Sequence, residues 1–235
     1  MTTDIEYEDR SREAARNNAA WCAALCRAHG ISGEWGPHAW TSPRRTPLLY
    51  PDAVTLTPQA SARDVLGRID LAAPGASVKD SFAALDLTGD GFDVLFDARW
   101  IHRPAPEAVT ESWQLVRGAA ELTAWERAWS RGGSEGLFPP GLLAAPGHTF
   151  LVDRDDEGRV RAGAVASRSG EVVGISNLHA PDGDLDAAWA GCLTTVARAW
   201  PGRAVVGYES GDDLAAALRA GFTAVGPLRV WLRRG

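Results

Sequence analysis

Two kinds of regular alternation between hydrophobic and polar residues run along this chain. Apolar residues at three- and four-residue spacing indicate helices, and short β-branched runs bounded by turn residues indicate strands. Helices are predicted over 9–28, 60–69, 119–130, 184–200 and 212–220. Strands are predicted over 53–57, 77–87, 92–102, 112–116, 149–153, 160–167, 172–180, 204–208 and 222–233. The second half therefore has the order β-α-β-β-β-α-β-α-β, which predicts an α/β fold.

One sequence pattern, the Gly-Phe phrase, occurs twice. Gly91-Phe92 opens a run that ends in the residues 99–103, and Gly221-Phe222 opens a run that ends in 229–233. A repeat offset by about 130 residues predicts two copies of one supersecondary unit. The Pro-rich stretch 104–106 is the best linker candidate. The predicted domains are thus residues 1–107 and 108–235.

Composition narrows the class of protein. The 235 residues are 45% hydrophobic and 23% charged, with a net charge of −6. The chain can bury a core in each half, and it offers no broad positive field for generic nucleic-acid binding. Three cysteines form no even disulfide framework, and the acidic start of the chain has no signal-peptide pattern. No apolar run is long enough to span a bilayer. We expect a cytoplasmic protein with no membrane partner.

Four segments of the second half resemble the GNAT (GCN5-related N-acetyltransferase) superfamily. They are the strand 172–178, the long helix after it, the strand 204–208, and the short helix that ends in Ala220-Gly221-Phe222. The resemblance covers residues 110–235, and the first half shares only 77–103. It implies two GNAT-like mixed-sheet units with flanking helices: a degenerate N-terminal copy and a better preserved C-terminal copy.

The resemblance also implies a site. In that fold the fourth and fifth strands separate, and the acyl group enters between them. The first wall of the gap would then carry Ser176, Asn177 and His179, and the second Tyr208, Glu209 and Ser210. Strand N–H groups near Asn177 and Leu178 would polarise the acyl carbonyl. Glu209 could be a general base, Tyr208 a proton donor, and His179 either one. The alternative is that Glu209 is a solvated strand end and Asn177 caps a turn.

The chain departs from the family pattern at the phosphate loop. Active members usually carry a Gln/Arg-x-x-Gly-x-Gly/Ala loop, whose N–H groups bind the pyrophosphate of acyl-CoA. The matching stretch 179–186 keeps one glycine, Gly183, has no arginine, and has aspartates at 182, 184 and 186. Many family members use a tyrosine as general acid four residues before the final glycine, and this chain has Ala217 at that position. Acyl-CoA is therefore a poorly supported cofactor.

Two motifs could instead hold ligands. Lys79, followed by Asp80 and Ser81, stands where the first half repeats 207–209, so it is a candidate donor-binding residue, with an ion pair at a sheet end as the alternative. The run Asp86–Asp97 partly matches a calcium loop, but an Asp-Gly turn between strands explains it better. No metal site is predicted.

The leading functional hypothesis is acyl transfer to the amine of a small molecule. The first alternative is an acyl or aminoacyl transferase whose donor is a carrier protein or an aminoacyl-tRNA, with Arg44-Arg45 on the donor groove. The second is a non-catalytic binding protein that keeps the fold.

Overall fold

A computed structural model describes residues 2–72, 74–181 and 183–234. The elements, in chain order, are α1 (Thr2–Ala28), β1 (Glu34–Trp35), β2 (Ala39–Thr41), β3 (Ala53–Thr55), α2 (Ala62–Leu66), β4 (Ser77–Asp80), β5 (Phe92–Arg103), β6 (Gln114–Leu115), α3 (Ala119–Ser130), β7 (His148–Arg154), β8 (Val160–Ser169), β9 (Val172–His179), α4 (Leu185–Ala199), β10 (Ala204–Glu209), α5 (Gly211–Arg219) and β11 (Thr223–Arg233). Short 3₁₀ turns at Thr88–Asp90 and Pro140–Ala144 complete the set.

The chain divides into two compact units. The first comprises the chain up to Trp100 together with the part from Ala224 onward, and the second is Ile101–Thr223. These units differ from the predicted domains, because the last strand contributes most of its residues to the first unit. The predicted domains 1–107 and 108–235, as two copies of one module, stay a prediction.

The first unit contains a mixed sheet with the strand order β1-β2-β3-β4-β11-β5. β3 and β4 run parallel, whereas β1 and β2, β2 and β3, and β4 and β11 pair antiparallel. A buried apolar cluster between this sheet and α2 contains Val65, Val78, Phe92 and Trp231. The predicted strand 77–87 ends early, at Asp80. The Asp80 carboxylate accepts the N–H of Leu85 (2.7 Å), which closes a turn in place of a continued strand.

The second unit contains the sheet order β10-β9-β8-β7-β6. β9 and β10 are parallel, and the other three pairs are antiparallel. Both units thus contain mixed sheets with helices, which confirms the predicted α/β class. Helix α3 occupies its predicted range, and the hairpin β7–β8 turns at the predicted residues, where Gly158 has a φ of +80°.

Helices cover both faces of the second sheet. On one face α4 and α5 enclose a core that includes Val173, Ile175, Val205 and Ala217. On the other face Trp125 of α3 makes edge contacts with Phe138 and Phe150, at ring-centroid distances of 5.3 and 5.0 Å. Side chains of successive strand residues point to opposite faces. The sheet therefore separates two hydrophobic layers, of which the α3 layer is built around the Trp125 ring.

Hydroxyl groups of α4 hold the segment that precedes β6. The N–H groups of Val109 and Thr110 both donate to Thr194 Oγ1 at 3.2 Å, and the N–H of Trp113 donates to Thr195 Oγ1 at 2.7 Å. Both threonines are buried. A buried hydroxyl group needs a hydrogen-bond partner, and here the segment before β6 supplies backbone N–H groups to both threonines.

The repeated Gly-Phe phrase has the same local structure in each unit. Gly91 ends a 3₁₀ turn with a φ of +81°, and Gly221 follows α5 with a φ of +89°. A side chain at either φ would be strained, so glycine is favoured. The next residues, Phe92 and Phe222, are both buried. A left-handed glycine followed by a buried phenylalanine thus leads into each long strand, with Phe92 as the first residue of β5 and Phe222 directly before β11.

Helix α1 begins earlier than predicted, at Thr2 instead of Asp9. Arg10 pairs with Glu6 and Arg12 with Glu8, each at 2.5 Å and with i,i+4 spacing. Such pairs stabilise an exposed helix by a few tenths of a kcal/mol each. Neither this helix nor another in the described part of the chain has the length and apolar character needed to cross a membrane.

Close packing between α4 and Trp113 makes Gly191 sensitive to substitution. A Cβ at Gly191 would lie 2.1 Å from the indole Nε1 of Trp113. We expect Gly191→Ala to lower the free energy of unfolding by about 1–3 kcal/mol, because the buried ring must move. Urea denaturation measures the change. The matched control is Gly141→Ala, whose Cβ meets no atom within 4 Å; equal unfolding midpoints for the two variants would contradict the packing account.

Candidate functional site

The regular pairing of β9 with β10 ends before the strands do. The registered pairs are Ala204 with Val172, Val205 with Val173 and Val206 with Gly174. At the next step the Gly207 backbone lies close to the Ile175 carbonyl, and a Cβ there would be 3.0 Å from that oxygen. Both strands continue past this point, so the predicted site residues lie where the parallel ladder stops.

A bulge in β9 sets the direction of its last side chains. Across from β8, Gly163 pairs with His179 and Val165 with Ser176, so β9 has one more residue than β8 between the two pairs. Asn177 lies in the bulge with a φ of +54°. An extra residue bends a strand and reverses which face the following side chains occupy. Leu178 therefore packs against the α4/α5 core, and His179 turns to the α3 side.

His179 is an uncharged acceptor of hydrogen bonds. Its Nδ1 lies 3.1 Å from the Asn177 carbonyl oxygen, and since that oxygen can only accept, Nδ1 carries the hydrogen. Its Nε2 is buried and has no partner among the described residues. Burial lowers the pKa of His179. The imidazole is neutral at pH 7, with an unused lone pair on Nε2.

One aromatic residue and one glycine fix the position of the His179 ring. Trp125 packs edge-on against it at a centroid distance of 4.8 Å, and the Trp125 indole donates to the Leu151 carbonyl oxygen at 2.9 Å. Gly163 leaves the space, because a Cβ there would lie 2.4 Å from His179 Cε1. The imidazole is therefore held in one position by packing on both sides.

Glu209 ends β10 as a half-buried carboxyl that has no hydrogen-bond or ion-pair partner among the described residues. Burial, together with the negative charge of Asp213, raises its pKa to about 8. Glu209 lies four residues after Val205, so it lies on the α4/α5 face of the sheet. The carboxyl keeps its proton at neutral pH, on the face opposite His179.

The other predicted site residues line these strand ends with less distinctive chemistry. Ser176, Leu178 and Tyr208 are half-buried. Ser210 is exposed and occupies the N-cap position of α5 without capping it through its side chain. Gly183 has a φ of +90° in the turn before α4. Their roles in donor or substrate binding stay predictions.

The start of α4 fits a diphosphate poorly. The Asp184 carboxylate accepts the Ala187 N–H at 2.9 Å, so an amide that an anion would need is already used. Asp186 accepts both forks of the Arg219 guanidinium, at 2.8 and 3.1 Å. The third aspartate of the predicted loop, Asp182, lies outside the described residues. Carboxylates at a helix N-terminus repel phosphate groups, so no step is assigned to a diphosphate here.

A pocket of about 280 Å³ opens beside the end of β9. It brings together three predicted residues, Leu178, His179 and Gly183, with residues that the sequence reasoning missed. The missed residues with functional groups are Trp129, Arg131 and Asp213. Arg131 ends α3 with a left-handed φ of +51°. In the sequence, the signal for Arg131 is its position at a predicted helix end, directly before Gly132 and Gly133.

The cationic candidates of the first unit are bonded within that unit. Lys79 is buried, and its ammonium donates to Asn18 Oδ1 at 2.8 Å. Arg45 pairs with the Asp52 carboxylate at 2.5 Å, and Arg44 donates to a backbone carbonyl. These contacts give the three side chains structural roles. Donor binding by Lys79 or by Arg44-Arg45 stays a prediction.

Comparison with solved structures identifies the fold. A GCN5-related N-acetyltransferase from Kribbella flavida is 15% identical with a TM-score of 0.60, covering 94% of this chain and 96% of that one. A putative GNAT-family acetyltransferase from Novosphingobium aromaticivorans is 14% identical with a TM-score of 0.57, covering 92% and 96%. No protein-family model and no curated protein matches the sequence.

A third solved structure with this fold contains a bound acyl-CoA. It is N-myristoyltransferase from Saccharomyces cerevisiae with myristoyl-CoA, 10% identical with a TM-score of 0.52, covering 68% of this chain and 52% of that one. These likenesses confirm a GNAT-type fold. The first two extend over nearly the whole chain, whereas the sequence resemblance covers only residues 110–235.

The raised pKa of Glu209 should make stability depend on pH. Between about pH 4.5 and 8 the unfolded chain has lost this proton and the folded protein has kept it, so its contribution to stability falls as pH rises. We expect Glu209→Gln to remove this fall. Relative to wild type, the variant should gain up to a few kcal/mol between pH 5 and pH 8. Urea denaturation at several pH values measures it.

The matched control for that experiment is Asp212→Asn, which changes an exposed carboxylate three residues away on α5. Its stability should follow the wild-type pH dependence. Parallel curves for wild type and Glu209→Gln would show that Glu209 has an ordinary pKa.

Proposed function

We propose that this protein is an acyltransferase that moves an acyl group from a thioester onto the amine of a small molecule. One observation carries the proposal. Where the ladder between β9 and β10 stops, a neutral imidazole with an unused lone pair ends one strand and a protonated carboxyl ends the other, so that a substrate in the gap between the strand ends would meet one group from each face of the sheet. Two groups with pKa values displaced in opposite directions supply a base and an acid at the same pH.

Each group has a role in the reaction. The neutral amine attacks the thioester carbonyl carbon, forming the C–N bond while the C=O electron pair moves onto oxygen. His179 Nε2 accepts the proton that the amine nitrogen gives up. N–H groups at the Asn177–Leu178 bulge polarise the carbonyl oxygen. The intermediate then collapses, the C–S bond breaks, and Glu209 gives its proton to the departing thiolate.

The products of this step are an amide and a thiol, and proton exchange through solvent returns His179 and Glu209 to their starting states. The donor role for Glu209 differs from the base role that the sequence suggested. A carboxyl with a pKa of about 8 holds a proton at pH 7. It can therefore supply the proton that the family's tyrosine would give, since this chain has Ala217 in place of that tyrosine.

The pH dependence of the rate distinguishes the two roles of Glu209. As a proton donor, Glu209 predicts a rate that falls as pH rises above about 8. Asp213→Asn removes a like charge, so it should move this fall to lower pH, while Asp212→Asn leaves it in place. Initial rates of thiol release between pH 6 and 10 measure the profile. A rate that instead rises through pH 8 would assign Glu209 as the base.

A thioester carried on a partner protein is the second candidate donor, favoured by the poor fit of a diphosphate at the start of α4. Thermal-shift titrations with acetyl-CoA, myristoyl-CoA and an acylated carrier protein, followed by thiol-release assays with mixed amines, compare the donors. A ligand that binds the folded state raises its melting temperature. We expect transfer from at least one thioester, lost in His179→Ala and Glu209→Gln.

The same titrations can overturn the proposal. If a thioester stabilises the protein but no amine is acylated, the chain is a binding protein with a GNAT-type fold. Transfer at the wild-type rate in both His179→Ala and Glu209→Gln would refute the assignment of the two groups.

A further inference from the structure

The pocket beside the end of β9 has one positive and one negative side chain among its described lining residues. Arg131 supplies the positive charge from the end of α3, and Asp213 supplies the negative charge from the first turn of α5. Neither side chain has an ion-pair partner among the described residues. Two unpaired opposite charges facing one small cavity are suited to a ligand that carries both charges.

The backbone at Arg131 supports a functional role for its side chain. Its φ of +51° is a conformation that glycine adopts at low cost and other residues rarely adopt. The next two residues are glycines. Left-handed residues are common at the C-terminal ends of helices, where glycine is the preferred residue, so the backbone conformation does not account for an arginine at this position. Its guanidinium can hold a carboxylate through two parallel hydrogen bonds.

His179 supplies the third contact. Its side chain is about nine-tenths buried, it lines the pocket, and its Nε2 lone pair has no hydrogen-bond donor among the described residues. Leaving such a buried atom without a hydrogen bond destabilises the folded protein. A ligand N–H that reaches this atom would satisfy it.

The remaining surface limits the size and character of the ligand. At about 280 Å³ the cavity lies at the small end of ligand pockets. Trp129, Leu178 and Leu185 give it apolar walls. The ligand therefore has a compact body with an apolar part, besides its two charges.

We infer that the amine acceptor is a free α-amino acid with an apolar side chain, its carboxylate bound by Arg131 and its amino group placed between Asp213 and His179 Nε2. This inference rests on the proposed acyl transfer for its meaning and deepens it by naming the acceptor class. In this arrangement the amino group that Asp213 attracts lies beside the base that removes its proton. Trp129 and Leu178 contact the side chain.

Binding without any acyl donor tests the inference. Isothermal titration of the full chain with the common amino acids should show binding by apolar ones such as leucine. Leucinamide and 3-methylbutylamine, which lack the carboxylate, should bind about 10- to 100-fold more weakly, as expected for the loss of a charged hydrogen-bonded pair. Arg131→Gly suits the local backbone and should abolish the preference for leucine over leucinamide.

Arg117→Gly is the matched control, because Arg117 is exposed on the same unit and does not line this pocket. It should keep the wild-type preference, and Arg131→Lys should restore part of it. Equal affinity for leucine and leucinamide, unchanged preference in Arg131→Gly, or no binding by any amino acid would each overturn the inference. Acylation of simple amines could still be observed in those cases, so the two proposals fail separately.

Discussion

The bulge at Asn177 is the constraint on which the candidate site of this protein depends. In β9, Val173 and Ile175 face the α4/α5 core, and strict alternation would place His179 on that same face. The extra residue opposite Gly163 and Val165 shifts the alternation by one, so Leu178 takes the core position and His179 passes to the α3 side. The left-handed backbone of Asn177 is the local cost of this change.

The second unit satisfies its buried polar groups almost everywhere that its residues are described, which makes the strand ends distinctive. The buried Glu126 carboxylate accepts bonds from Ser134 Oγ at 2.9 Å and the Leu137 N–H at 2.8 Å. Thr194 and Thr195 receive backbone donors from the preceding segment. Against this pattern, His179 Nε2 stays without a partner. The fold does not compensate the desolvation cost of this atom, and a bound ligand or water molecule that donates a hydrogen bond to it would do so.

The sequence predicted the elements that carry the candidate site and named some of the residues that line it. Alternation and β-branched runs predicted β8, β9 and β10 closely, and the helix over 119–130 has its predicted bounds. It also brought forward His179 and Glu209, because both are polar groups at strand ends. It missed Trp129, Arg131 and Asp213, since they come from helix ends that are distant along the chain from β9. It overextended the strand after Ser77, because the carboxylate of Asp80 closes a turn with Leu85.

Local sequence by itself determined what can be decided within one turn or one strand: the periodic helices, the hairpin at Gly158, and the left-handed glycines before Phe92 and Phe222. The tertiary structure alone decided the rest. It placed Arg131, His179 and Asp213 around one cavity, and it buried Glu209 near Asp213, so that its pKa rose to about 8. A pKa depends on neighbouring charge and on exclusion of water. Neither quantity exists until α3, β9 and α5 have been packed together.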